Sequence, residues 1–330
     1  MSLHSSVIIV MKLTPRLLDE RAWCAGLLGS SREAGTLFLT VAKNSSWSPS
    51  FYGYLGACYY YEQAFKVLCL MPDDLKELSR ELSARNEKRS VQDEARLLLS
   101  KALAWFKTVP NLGKKRSSFP PERFAIMRCA DVNLLTAKHA TLTSRGGAAN
   151  GTTSNSAQVS LDTVPEDKIR VLSSALFWPT TELAYFWNGL FQIENKAQVR
   201  RELEQSMAVY RKYQMDEDPV KKHNFLCMYR LFRGAMLREE RQFADADAEL
   251  AQLVPSIDFS IQVGVNESGA NVEKWTVEFA KYERGLCQWE LGDRKQALAW
   301  WNAVKDSGHP LDARLKFRLK SALRKAAGGL

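Results

Sequence analysis

Cysteine and histidine are the residues from which this chain could most directly build chemistry. The cysteines are Cys24, Cys58, Cys69, Cys129, Cys227 and Cys287, and the histidines His4, His139, His223 and His309. A nucleophilic thiolate needs an imidazole to take its proton, and a structural zinc ion needs three or four such ligands. His223 and Cys227 lie four apart on a predicted helix and so share a face, but no further ligand lies near them in the sequence. The pair reads as a core thiol beside a surface imidazole. No CxxC pair occurs, and most of the cysteines sit in apolar helical patterns, as small core residues do. This is reduced, intracellular usage rather than a disulfide framework. A phosphate loop is the next possibility: Lys114, Lys115, Arg116 and Ser117 follow Gly113, but Thr108 stands where the pattern needs its first glycine. No strand precedes it either, so the segment reads as a basic loop. Asp245 and Asp247 fall on predicted exposed helix positions and read as solvated charge. No catalytic residue, metal ligand or cofactor site emerges, and the chain is expected not to be an enzyme.

The elements that carry these residues are helices. Thr14-Pro15, Ser48-Pro49, Pro72, Pro120-Pro121, Pro165, Trp178-Pro179 and Asp218-Pro219 each stand at the head of an apolar periodic stretch, where proline supplies a helical φ and its missing N–H costs nothing. No alternating β-branched run argues for a sheet. The segment 257–265, after Pro255, reads as an insert with a short extended piece. Residues 141–158 are rich in Ser, Thr, Gly and Asn with no large apolar anchor. The expected organisation is an N-terminal helical lobe over 1–140, a disordered linker over 141–163 and a C-terminal lobe over 164–330. No apolar run reaches the ~20 residues that span a bilayer. Nine Trp and ten Tyr suit large helix–helix contacts. The net charge of +9 favours acidic or anionic partners.

One pattern recurs within the chain. Gly285 is followed by Gly292, Ala297 and Trp301: a small residue, a turn, a second small residue and a large ring. Gly234, the turn at Arg241, Ala246 and Leu250 share those offsets, as do Ala22, Gly29, Ala34 and Phe38. This is the spacing of a tetratricopeptide helix pair, in which small residues let two antiparallel helices approach and the large side chain fills the hole beside them. The 51 residues between Ala246 and Ala297 exceed one repeat, so the array is diverged. The fold class read here is all-α: tetratricopeptide-like helical hairpins forming an α-superhelix.

Such an array offers a groove along its first helices. Clamping an acidic tail there needs Lys and Asn, but the corresponding positions are Tyr282, Leu286 and Trp289 in the last pair and Leu231, Ala235 and Arg238 in the one before. An apolar helix or segment of a protein partner fits better, with Trp187, Tyr282, Trp289 and Trp300 as candidate groove residues. The final helix carries Arg314, Lys316, Arg318, Lys320, Arg324 and Lys325 interleaved with Leu311, Leu315, Phe317, Leu319 and Leu323. A terminal cap with a basic outer face accounts for this ahead of nucleic-acid binding. Contact with a lipid-droplet or other membrane surface is the alternative.

Several stretches resemble a known family. They are Phe38 to Ser48 with Tyr52 to Leu55, Phe119 to Phe124, Pro179 to Gly189, Arg230 to Gly234, Tyr282 to Ala297 and Ala313 to Leu323. Their order and residues resemble tetratricopeptide repeat protein 39 and the related fungal inclusion body clearance protein, over nearly the whole chain from about Asp19 onward. The likeness is to the C-terminal half of usually longer relatives. It implies a non-enzymatic cytoplasmic protein linked to lipid-droplet-dependent clearance of inclusions or to lipid homeostasis, with no catalytic residues to carry over.

Overall fold

The structure is a computed structural model that describes residues 16–45, 47–69, 83, 90–112, 120–140, 161, 164–215, 219–253, 275–306 and 313–328. The expected basic loop 114–117 and insert 257–265 lie outside these residues, as does the expected linker 141–163 apart from the buried Leu161. Among the described residues the secondary structure is helical and no strand occurs. Packing divides the chain into two compact units, Met1–Thr180 and Thr181–Leu330.

The first unit contains α1 (residues 16–27), α2 (Ser31–Asn44), α3 (Pro49–Cys69), α4 (Val91–Leu112), α5 (Pro120–Ala140), α6 (Glu166–Ser173) and the start of α7 (Pro179–Phe186). Helix α3 is apolar around most of its circumference and buried along nearly its whole length, which makes it the central rod of the unit. It packs against α2 and α4, with α5 and α6 beside it. At its contact with α2 the backbones come close, and a Cβ on Gly56 would lie 2.9 Å from the Gly35 carbonyl oxygen. Pro110, inside α4, cannot donate to the carbonyl of Phe106, and Asn133 Nδ2 of α5 supplies that hydrogen bond at 3.0 Å.

The sequence boundaries place α6 in the C-terminal lobe over 164–330, whereas its packing places it in the first unit. The Tyr61 hydroxyl of α3 donates to the Leu172 carbonyl at 2.9 Å and accepts from the Leu176 amide at 3.0 Å. It thereby holds the end of α6 and the turn that follows against the buried core. Trp178, with φ of 41° and 1% exposure, completes that turn, and Lys66 lies 5.1 Å from its ring centre.

The second unit continues from α7 through a 3-10 turn (Leu190–Gln192) to α8 (Lys196–Tyr210), α9 (Pro219–Glu239), α10 (Phe243–Ala251), α11 (Trp275–Glu290), α12 (Arg294–Lys305) and α13 (Ala313–Ala326). Helices α9 and α10 form one hairpin and α11 and α12 the next, with α11 packed on both α9 and α10.

Three hairpins in the chain share one turn geometry. Gly29, Arg241 and Gly292 each take a left-handed backbone, with φ of 84°, 62° and 90°. Five residues on, Ala34, Ala246 and Ala297 are each completely buried. Four further, Phe38, Leu250 and Trp301 fill the space between the helices at no more than 2% exposure. A Cβ on Gly285 would stand 2.2 Å from the Trp301 indole nitrogen, and one on Gly234 would stand 2.6 Å from Leu250. The glycines are therefore required by contact with the facing helix. At the second turn Arg241 is not a glycine, which costs about 1–2 kcal/mol of backbone strain.

Candidate partner-binding surface

In the second unit, α9 and α11 are the first helices of successive hairpins and lie side by side. Their common face carries Phe232 and Arg238 from α9 and Phe279, Tyr282 and Glu283 from α11. That face is covered by the chain's own α7. The Tyr185 ring lies 5.9 Å from Phe232 and 5.4 Å from Phe279, and Phe186 packs on Trp275 at 4.7 Å and Phe279 at 5.8 Å. The Tyr185 hydroxyl donates to Glu283 at 3.0 Å, and Arg238 donates to the other oxygen of the same carboxylate at 2.5 Å. Glu283 is 1% exposed, so its charge is held by both partners rather than by water. Burial alone would lower the Arg238 pKa, but the neighbouring Glu283 outweighs it and raises the value, keeping the guanidinium charged. Burial raises the Tyr185 pKa, reinforced by Glu283. It also pushes Tyr282 up to about 12.

Helix α13 closes over the same place. Arg318 donates to the carbonyls of Tyr185 and Phe186 at 2.6 and 3.1 Å, taking up the terminal carbonyls of α7. Arg314 stacks over Phe186 and Trp187, 4.9 and 4.4 Å from their ring centres. The six basic residues of α13 thus separate into two sets. Arg314 and Arg318 dock on α7, while Lys316, Lys320, Arg324 and Lys325 are exposed. Phe317, which the sequence pattern grouped with the apolar side, is 76% exposed. The buried side of α13 is made by Leu315, Leu319 and Ala322.

The four aromatic residues expected to line a groove are used in different ways. Tyr282 is buried on the face that α7 covers. Trp187, Trp289 and Trp300 remain partly exposed, each under an arginine: Arg314 over Trp187 at 4.4 Å, Arg294 over Trp289 at 3.6 Å and Arg284 over Trp300 at 4.1 Å. Arg284 is itself held by both oxygens of Asp247, at 2.8 and 3.1 Å. Asp247 is therefore part of an inter-helix ion pair rather than solvated charge, whereas Asp245 is exposed. A further pair ties α9 to α8 and α10, where Arg233 donates to Glu204 at 2.9 Å and to Glu249. The sequence pattern places Arg314 and Arg318 on a basic outer face and does not single out Tyr185 or Phe186, whereas the structure docks both arginines on α7. The signal present was a tyrosine and phenylalanine pair on a short proline-headed helix.

Three of the thiols are poorly placed to act as nucleophiles. Burial pushes the thiol of Cys69 up to about 11 and that of Cys287 up to about 12, and it raises Cys129 further. Such thiols are protonated at neutral pH and poor nucleophiles. His223 Nε2 lies 3.5 Å from Cys227 Sγ, and burial followed by Arg230 lowers its pKa. Among the described residues, no group of three or more His, Cys, Asp and Glu is placed to hold a metal ion. No helix among them is long and apolar enough to cross a membrane.

The fold and these surfaces define a helical-repeat protein of the tetratricopeptide-like class, of the kind that mediates protein–protein interaction. The sequence model for Iml2/Tetratricopeptide repeat protein 39 matches residues 13–240, well over half of the chain, and the protein belongs to that family. No curated protein and no solved structure matches the chain.

Proposed function

We propose that this protein is a non-enzymatic helical-repeat adaptor that docks a protein partner on the second unit, acting in the cytoplasm in lipid-droplet-linked clearance of inclusions or in lipid homeostasis. The observation that carries the reading is the set of three partly exposed tryptophans, Trp187, Trp289 and Trp300, each stacked with an arginine. Trp and Arg are the residue types that dominate binding hot spots. A ring already ordered by its neighbour loses less entropy when a partner covers it. Because α7 covers the shared face of α9 and α11, these rings lie outside the contact that the chain itself has filled. The pathway rests on the family resemblance, and the high thiol pKa values support a non-enzymatic role.

The test is quantitative co-purification from the protein's own cells with Trp187→Ala, Trp289→Ala and Trp300→Ala, compared with the unaltered chain. A partner docked on these rings is lost from at least one variant about ten-fold or more, while the thermal melt of that variant stays cooperative. Equal recovery of every co-purifying protein by all three variants rules out docking on these rings.

A further inference from the structure

We propose that the outer face of α13 is a docking site for an anionic lipid surface, a property that goes beyond the adaptor reading and uses different residues. Helix α13, Ala313–Ala326, contains six basic residues and no acidic one. At 100° per residue, Lys316, Lys320, Arg324, Phe317 and Ser321 fall within about 140° of its circumference, with Lys325 about 40° beyond, and all six are exposed. The opposite half is held in place by Leu315, Leu319 and Ala322 and by the Arg318 hydrogen bonds to Tyr185 and Phe186. The basic arc is therefore presented on an anchored helix and does not need to fold on binding.

Phe317 distinguishes this face from an ordinary solvated one. A terminal cap needs only charge on its outer side, yet a ring 76% exposed stands within the basic arc. Basic side chains flanking an aromatic on a convex helix match a bilayer interface. The charges meet anionic headgroups there, and the ring enters the headgroup–acyl boundary. A single-stranded nucleic acid is matched less well, because it is gripped by a groove with several stacking rings and this arc has one. Each basic residue close to an anionic membrane strengthens binding roughly five-fold. Four of them with one inserted ring give binding that is useful, reversible and sensitive to salt. The net charge of +9 over the whole chain acts in the same direction.

The experiment is flotation of the full chain with vesicles of phosphatidylcholine alone and of phosphatidylcholine with about 30 mole per cent phosphatidylserine. Binding is expected to the second and not the first, and to fall as salt rises from about 0.1 to about 0.5 M. Lys316→Gln with Lys320→Gln should weaken partitioning roughly 25-fold. Phe317→Ser should weaken it about ten-fold, with the salt dependence unchanged. All these positions are exposed, so far-UV circular dichroism melts should match the unaltered chain. A competition arm adds polyglutamate and a single-stranded oligonucleotide. The proposal is overturned by no flotation with anionic vesicles, by flotation that ignores both variants, or by binding of either polymer without binding of vesicles. The co-purification test uses other side chains, so the two ideas fail separately.

Discussion

Replacing Gly285 by alanine tests the packing rule on which the hairpins rest. The added Cβ would stand 2.2 Å from Nε1, 2.4 Å from Cδ1 and 2.8 Å from Cε2 of Trp301, where carbon atoms in contact prefer about 3.5–4 Å. Trp301 is 2% exposed and packs against the Trp289 ring at 5.6 Å. Its indole N–H donates to the Tyr282 carbonyl at 3.2 Å, so a displaced ring loses a buried hydrogen bond as well. Overpacking costs about 1–3 kcal/mol and an unmade buried bond about 1–3 kcal/mol. Alanine returns about 1 kcal/mol of helix propensity, leaving a net loss of about 1–5 kcal/mol. In a Trp301→Ala background the clash is gone and only the propensity gain of about 1 kcal/mol remains, although Trp301→Ala itself costs about 3–5 kcal/mol. The two substitutions should therefore couple by several kcal/mol, against the ~0.5 kcal/mol at which independent sites add. The assay is urea unfolding of the four chains by far-UV circular dichroism, with hydrogen exchange of the α11 and α12 amides to locate the change. A Gly285→Ala chain as stable as the original, or costs that simply add, would refute the close-approach argument.

Two other perturbations follow from the same unit. Arg238→Met leaves the Glu283 carboxylate, 1% exposed, with only the Tyr185 hydroxyl, and should destabilise by about 3–5 kcal/mol. Adding Glu283→Gln should recover most of that, because no buried charge remains; urea unfolding reads both, and a double variant no better than the single would count against the charge argument. The thiols give a pH-dependent test: with Cys69 raised to about 11 and Cys287 to about 12, alkylation of the native chain near neutral pH should modify the exposed Cys24 first. Mass mapping should find the buried Cys58, Cys129, Cys227 and Cys287 labelled only after unfolding, and labelling of Cys287 at the rate of Cys24 would count against its buried environment.

Much of the local structure was legible because its cause is local. Pro49, Pro120, Pro179 and Pro219 each begin a helix, since proline at a first helical position needs no neighbour. The left-handed turns at Gly29 and Gly292 and the small residues five positions later follow from the geometry of two antiparallel helices. What could not be read was which surface each amphipathic helix meets. Arg314 and Arg318 look like Lys316 and Lys320 in sequence, yet a rotation of half a turn puts the first pair on α7 and leaves the second in solvent. Asp247 looked solvated because its partner, Arg284, is 37 residues away. The hairpin pattern that marks Trp187, Tyr282, Trp289 and Trp300 carries no information that Tyr185 and Phe186 lie on Phe279 and Glu283.

The amino-acid sequence by itself determined that this chain is a set of helical hairpins, because turn backbone angles, helix starts and close-approach positions depend on residues within a few turns of one another. The tertiary structure alone decided that α7 fills the face between α9 and α11, that α13 locks it there through Arg318, and that Phe317 is left outside among lysines. Those outcomes depend on side chains roughly a hundred residues apart. Periodicity can require that a face be covered, but the choice of cover belongs to the packed whole.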